Sequence, residues 1–434
     1  MTSAPPTAPI KVAFIGLSTQ GWASTTLAPS LTHPSLRSTY SLVAVSTTSP
    51  SSALQTAEKW SRELGHEVRA FHGDVESNLL RGAADTHWGN ESDNVKSDND
   101  ESKNDDSDNK LNNNNNAGKL PFDFDLAVIS IRPLSHQPTL LPIIRSKKDF
   151  FIEWPVGRNS YETREIAAEA RRHSVRSIVG LQGRLGWAVN KAKEIIESGK
   201  IGKVLSTNVV ALCPRELHLF GPEAKASLRE YLENKENGAN VLTGPIGHHL
   251  DTLTYLLGPF TQISATSTTH YPSSSLVDDE GNPTGETITT PGDDHIAITG
   301  LLSTGTLSSI LWRAGQKAST PGRTSFLWSI DGEDGTIELR GKEGVVTGAF
   351  INISEPELFV NGDKVDVDGY ADEGVDKDWA GKRELGPLAP LIRGWEEFAK
   401  GEEGKHATIE DAVRVKRLVD AIEESLSTGK RITV

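Results

Sequence analysis

Ile10-Lys-Val-Ala-Phe-Ile-Gly16-Leu17-Ser18-Thr19-Gln-Gly21-Trp22-Ala is the stretch on which the reading of this chain turns. Residues 10–16 are β-branched and nearly all apolar, as suits a strand buried on both faces of a parallel sheet. A glycine turn follows, and residues 22–31 read as a helix. Strand, tight turn and helix in that order resemble the opening of a dinucleotide-binding unit. Gly16 permits the turn, and Gly21 lets helix and strand approach. The helix start then presents free N–H groups and a dipole to a diphosphate. Ser18 stands where the fingerprint has its second glycine, so the backbone is less open there, although the hydroxyl could donate a hydrogen bond. The plainer alternative is a structural strand-to-helix turn.

Working outward, residues 42–46 (LVAVS), 126–131 (LAVISI) and 150–153 (FFIE) are further apolar strands. Residues 52–64, closed by Gly65, and 138–146 are helices between them. This alternation predicts a doubly wound parallel sheet over residues 10–155. After it come a helix at 161–173, a strand at 178–181, a helix at 189–198 and a strand at 204–212. Residues 295–313 and 325–340 then alternate apolar and polar side chains around glycine turns, which is the pattern of antiparallel hairpins. Residues 272–292 read as a polar loop, and 390–400 and 409–427 as closing helices. The expected fold is therefore an α/β Rossmann domain followed by an α+β domain over 156–434 with a large, mainly antiparallel sheet.

Two segments fall outside this pattern. Residues 1–9 read as a disordered leader, with neither the basic start nor the apolar segment of a signal peptide. Residues 85–119, rich in Asn, Asp, Ser and Lys, have too little apolar surface to offset chain entropy and are expected to be disordered. That insert enters at the N-terminal end of the 126–131 strand, away from the strand ends where ligands bind.

Composition narrows the function classes. With 434 residues there is material for two or three domains, and a net charge of −14 opposes direct nucleic-acid binding. No run reaches the ~18 apolar residues of a membrane helix. The single cysteine, Cys213, excludes an internal disulfide and suits a reducing, cytoplasmic or nuclear setting. The sequons at Asn90 and Asn352 are expected to be idle. The second strand ends Val45-Ser46-Thr47, without the carboxylate that an NAD site carries for the ribose 2′-OH, so NADP or dual use of NADP and NAD is expected.

With these residues in view, the chain resembles the glucose-fructose oxidoreductase / inositol dehydrogenase / MocA family over nearly its whole length. The resemblance is carried by Val128-Ile-Ser-Ile131-Arg-Pro133 with His136, by Phe151-Ile-Glu153-Trp154-Pro155, by residues 192–206 and by residues 410–434. Within the family it is similar to the branch of the yeast galactose-regulon repressor, a non-catalytic member. Gly21-Trp22-Ala23, Leu181-Gln182-Gly183-Arg184, Gly247-His248-His249-Leu-Asp251 and Arg313-Ala-Gly-Gln-Lys carry that similarity. The resemblance implies cofactor contacts from Gly16, Leu17, Ser18, Thr19, Gly21, Trp22, Ser46, Ile131, Pro133, His136, Glu153, Trp154 and Pro155, with His136 beside the nicotinamide ribose. Gln182, Arg184, His249 and Asp251 are candidates for a substrate or other ligand. Trp22, Trp154 and Trp187 are candidates for an aromatic wall.

Departures from the family pattern concern proton transfer. Oxidising a carbinol needs a group to take the hydroxyl proton. In the family a lysine does this, helped by an aspartate four residues before a histidine. Trp154 and Gly244 occupy the lysine and aspartate positions here, and only His248 remains. An indole N–H donates but cannot accept a proton. His248 is thus the one catalytic candidate, against the alternative of a packing residue whose helix Asp251 anchors; no metal site is expected. Two readings stay open: a dinucleotide-binding regulator with weak or no turnover and a protein partner such as a transcription activator, or an oxidoreductase acting on a sugar or polyol. The resemblance also implies a homodimer or tetramer through the open face of the second sheet.

Overall fold

The computed structural model describes residues 8–80, 122–234, 237–238, 240–290, 292–365 and 386–434. The 85–119 insert, the first seven residues and Asn90 lie outside them.

Six strands form a parallel sheet: β1 (Ile10–Ile15), β2 (Tyr40–Thr47), β3 (Arg69–His72), β4 (Leu126–Ile129), β5 (Asp149–Ile152) and β6 (Ser177–Val179). Their spatial order is β3-β2-β1-β4-β5-β6, so the chain reverses direction across the sheet between β1 and β4. In such sheets that switch point opens a crevice beyond the carboxyl ends of the strands. A π-helical turn, Ala23–Leu27, runs into α1 (Ala28–Leu31). The connecting helices are α2 (Pro50–Leu64), α3 (His136–Arg145) and α4 (Ser160–His173). α2 begins where the Ser49 hydroxyl accepts the Ser52 N–H, carries Pro50 at its first position and ends at left-handed Gly65.

After α5 (Trp187–Glu197) the second sheet is laid down. It has nine strands in the order β17-β16-β15-β14-β7-β13-β12-β9-β18. They are β7 (Val204–Pro214), β9 (Phe260–Thr268), β12 (His295–Leu302), β13 (Leu307–Gln316), β14 (Phe326–Gly332), β15 (Thr336–Arg340), β16 (Glu357–Val360), β17 (Asp363–Val365) and β18 (Ile432–Thr433). Only β13 and β7 pair in parallel; the other pairings are antiparallel. α7 (Gly247–Leu257) and α9 (Ile409–Thr428) cover one face, and α9 opens with a Thr408–Asp411 capping box. The other face is open. Across it the register sets Ala297, Leu311, Val210 and Leu327 in one row.

The chain departs from its linear reading in three places. Residues 272–292 are a hairpin rather than a loop. There β10 (Ser273–Val277) and β11 (Pro283–Thr289) join β8 (Glu223–Lys225) in a small third sheet, with α6 (Arg229–Glu233) beside it. In the two hairpin strands only Ser274, Leu276, Val277 and Ile288 are buried, too few to show a period. The parallel sheet also does not end at residue 155, since β6 lies beyond it. Finally, α8 (Leu388–Ala399) returns to cover that sheet, with Trp395 fully buried against Phe151 and Tyr40. Trp395 Nε1 donates to Ser30 Oγ at 3.0 Å, and Tyr40 Oη donates to the Trp395 carbonyl at 2.6 Å. Contacts some 350 residues apart in sequence leave no local signal. Among the described residues no helix is long and apolar enough to cross a membrane.

Candidate functional site

The crevice has two walls. The first is the turn after β1. Gly16 has φ +88°, and a Cβ on it would lie 2.2 Å from the Ser130 carbonyl oxygen and 2.5 Å from Ile131 Cγ2. Its N–H donates to the Ser46 carbonyl at 2.8 Å, tying the turn to β2. Gly21 has φ +87° and open space around its Cα. Among the described residues the main-chain N–H groups of Ser18, Thr19, Gly21 and Trp22 take no partner. They form the donor set that a diphosphate needs. The Ser18 hydroxyl is already used, donating to the Gln20 carbonyl at 2.7 Å. Leu17 is fully buried in the core beneath the turn.

Trp22 crosses the switch point. It is exposed on one side, and its Nε1 donates to Glu153 Oε1 at 2.9 Å. Glu153, just past β5, makes no ion pair among the described residues. Burial pushes its carboxyl up to about 7, and the Trp22 bond opposes part of that shift. A Cβ at Gly180, just past β6, would lie 2.4 Å from Glu153 Oε2, so the carboxyl rests against bare backbone.

The second wall lies across from this. Trp154 is buried and donates its Nε1 hydrogen to the Thr243 carbonyl at 2.6 Å. Its ring lies against Gly247, where any Cβ would come within 2.6 Å of Nε1. Gly244 faces open space, with nothing within 4 Å of where its Cβ would stand. His248 follows a π-helical turn, Leu242–Ile246, a deformation frequent at functional sites. Its Nδ1 is buried without a partner, and burial pushes the ring down to about 4, so it is neutral at pH 7.

Several sequence candidates sit elsewhere. His136 is 1% exposed and does not line the crevice. Its Nδ1 lies 3.1 Å from the carbonyl oxygens of Pro155 and Val156, and its Nε2 lies 3.0 Å from that of Ile131. It therefore staples the turn around buried Pro133 to the end of β5 and shapes the cleft from behind. Arg184 and Asp251 form a buried ion pair joined by Asp411 of α9. That triad locks α7 and α9 to the segment after β6 and leaves neither Arg184 nor Asp251 as a free ligand group. His249 points into the second sheet's core, its ring edge-on to Trp312, Phe326 and Trp328 and both nitrogens unpartnered. Trp187 lies under Arg393, against the core beneath α8, apart from Trp22 and Trp154. Gln182 is buried with its Oε1 unpartnered. Cys213 is buried, and burial raises its thiol pKa, so it is no nucleophile. Asn352 of the second sequon is buried.

The fold joins a six-stranded parallel sheet to a large open-faced, mainly antiparallel sheet. Residues 188–341 match the family model described as "Gal80p, C-terminal domain". Over 311 residues the chain is 28% identical to the dehydrogenase aclE of Aspergillus oryzae, covering 71% of this chain and 78% of that one. Over 245 residues it is 26% identical to the galactose/lactose metabolism regulatory protein GAL80 of Saccharomyces cerevisiae, covering 55% of this chain and 54% of the other. Among solved structures, a super-repressor mutant of Gal80p from Saccharomyces cerevisiae superposes with a TM-score of 0.74 at 20% identity, over 98% of both chains. An NAD binding oxidoreductase from Klebsiella pneumoniae gives 0.68 at 18% identity over 99% of both. Residues 188–341 thus match the Gal80 C-terminal family, the chain is similar to a dehydrogenase and to Gal80 regulatory proteins, and its fold is shared with NAD binding oxidoreductases.

Proposed function

We propose that this protein binds a nicotinamide dinucleotide as a regulator with negligible turnover. One contrast carries the reading: the diphosphate seat at Gly16 and Gly21 is formed, while Trp154 and Gly244 stand where a proton acceptor and its partner would be. The residues fit the group, since the Gly16 turn packs directly on the end of β4 and is followed by main-chain N–H groups without partners among the described residues. Ser18, Thr19, Gly21 and Trp22 would hold the diphosphate, with Ser46, Ile131, Glu153 and Trp154 around the remainder. When bound, the cofactor supplies hydride chemistry. At the positions where the family's proton acceptor and its helper would stand the usual chemistry is gone, because the Trp154 N–H is spent on a carbonyl and His248, near 4, is a weak base at pH 7.

At the end of β2, Ser46 is buried and the Thr47 hydroxyl donates to the Ser49 carbonyl at 3.1 Å, which leaves exposed Thr48 and no carboxylate. That favours NADP or dual use. The regulator reading implies a protein partner such as a transcription activator, in the cytoplasm or nucleus. A homodimer would cover the open row of Ala297, Leu311, Val210 and Leu327, and light scattering showing only monomer at micromolar concentration would remove that part.

The test is titration of the full chain with oxidised and reduced NAD and NADP, followed by a turnover screen on sugars and polyols. Binding without turnover is expected. Robust turnover abolished by His248→Ala would replace this reading with the second one, an oxidoreductase on a sugar or polyol. The unpartnered His248 Nδ1 and the relation to a dehydrogenase favour that alternative.

A further inference from the structure

We propose that Glu153 is the residue by which this cleft distinguishes an oxidised from a reduced nicotinamide ring, preferring the oxidised, cationic form when its carboxyl is ionised. The inference rests on the reading that the crevice holds a nicotinamide dinucleotide.

Geometry places Glu153 on the path of the ring. In a doubly wound sheet the adenosine half of a dinucleotide lies toward β2, and the diphosphate lies on the turn after β1. The other half must then run over the ends of β4, β5 and β6. Glu153 follows β5, and Trp22 reaches from the β1 turn to hold its Oε1 at 2.9 Å. Indole and carboxyl together bridge the switch point that the ligand must cross. Bare backbone at Gly180 leaves Oε2 its room.

Electrostatics make that position consequential. A partly buried carboxylate with one neutral hydrogen-bond donor and no cation is poorly compensated. The charged and titratable groups on the surrounding elements do not supply a counter-ion. Arg132, after β4, pairs at the rim with Glu230 of α6. Arg184, after β6, is held by Asp251 and Asp411. Burial lowers the pKa of His136, behind β5, and of His248, at the start of α7, so both are neutral near pH 7. The missing positive charge is one that an oxidised nicotinamide carries and a reduced one does not. An opposite charge within about 4–6 Å lowers a carboxyl pKa by about 1–3 units. The oxidised ring therefore draws the proton off Glu153, while the reduced ring leaves the neutral acid in place.

Calorimetric titration of the full chain with NAD⁺, NADH, NADP⁺ and NADPH, at pH 6, 7 and 8 in two buffers of unequal ionisation enthalpy, tests this. Oxidised forms should release a fraction of a proton at pH 7 and reduced forms should not. The oxidised-to-reduced affinity ratio should rise about tenfold from pH 6 to 8, the equivalent of one pKa unit. In Glu153→Gln, which keeps the shape and an acceptor for Trp22, the ratio should be flat with pH and the proton release gone. A wild-type ratio independent of pH, or proton release that survives in Glu153→Gln, would overturn the assignment while leaving dinucleotide binding intact. Absence of binding by all four ligands would instead overturn the dinucleotide reading and this inference with it.

Discussion

The wall built by the β1 turn and the wall built by α7 face one crevice but meet different demands. Around Gly16 the work is done by backbone: φ is positive, a Cβ would meet the Ser130 carbonyl, and the N–H groups that follow take no partner among the described residues. Around Trp154 space is filled, with an indole against Gly247 and its one polar atom satisfied by a main-chain carbonyl. A ligand seat depends on backbone geometry that few substitutions preserve. A proton-transfer site depends on two or three side chains, which can be exchanged while the backbone stands. The two walls can therefore diverge, one retaining its form while the other loses its chemistry.

If that contrast is sound, the second wall should be repairable. Trp154→Lys combined with Gly244→Asp has room for the new carboxylate, since nothing lies within 4 Å of a Cβ at 244. Sugar or polyol oxidation by the double variant should exceed wild type by about 10²–10⁴-fold, the usual worth of a general base. Unchanged activity in a folded double variant would mean that more than these two positions has been lost.

The anchoring of α7 is expected to be nearly as consequential. Arg184→Ala strands the buried Asp251 carboxylate, while Asp411 keeps Arg414 and the Thr408 cap, and should cost about 3–5 kcal/mol in chemical denaturation. A loss below 1 kcal/mol would show that the triad does not hold this wall.

On the other side, Gly16→Ala forces a left-handed alanine against the Ser130 carbonyl. Dinucleotide affinity should fall at least about 100-fold, with about 2 kcal/mol lost from stability. Retained binding by calorimetry would dissociate the turn from the ligand.

The smallest effect concerns acid stability. Burial pushes His248 down to about 4 and His249 to about 3, against an unfolded value near 6.5. Below 6.5 the unfolded chain binds these protons and the folded one does not, so the stability they contribute above 6.5 is lost progressively as pH falls toward 4. His249→Leu removes one such group, and its melting temperature should decline less steeply than wild type between pH 6.5 and 4.5. Parallel curves would show that His249 is not proton-linked to folding.

Much of the parallel sheet could be read from the chain because its strands are continuous apolar runs and its helices carry their own stop signals, such as Gly65 and Gly429 in the left-handed region. The β1 turn was legible for the same reason: its glycines act through local backbone conformation. The hairpin at 273–289 escaped because its strands are too polar to show alternation. His136, Arg184, Asp251 and His249 were recognisable as unusual residues, but their partners lie on other elements and no spacing reveals which way a side chain turns. Gln182, Glu153 and Trp22 were marked as candidates one by one, whereas the Trp22–Glu153 bond spans 131 residues.

Periodicity and glycine placement were enough to read a dinucleotide-type sheet, and residue identity marked Trp154 and Gly244 as departures from the family pattern, because those are properties of local backbone and of side-chain chemistry. Which charged groups are neutralised and which is left alone emerged from folding. Arg184 met two carboxylates, whereas Glu153 met no cation among the described residues, and that difference in company decides how each charge is compensated, since a charge removed from water depends on whatever its neighbours supply.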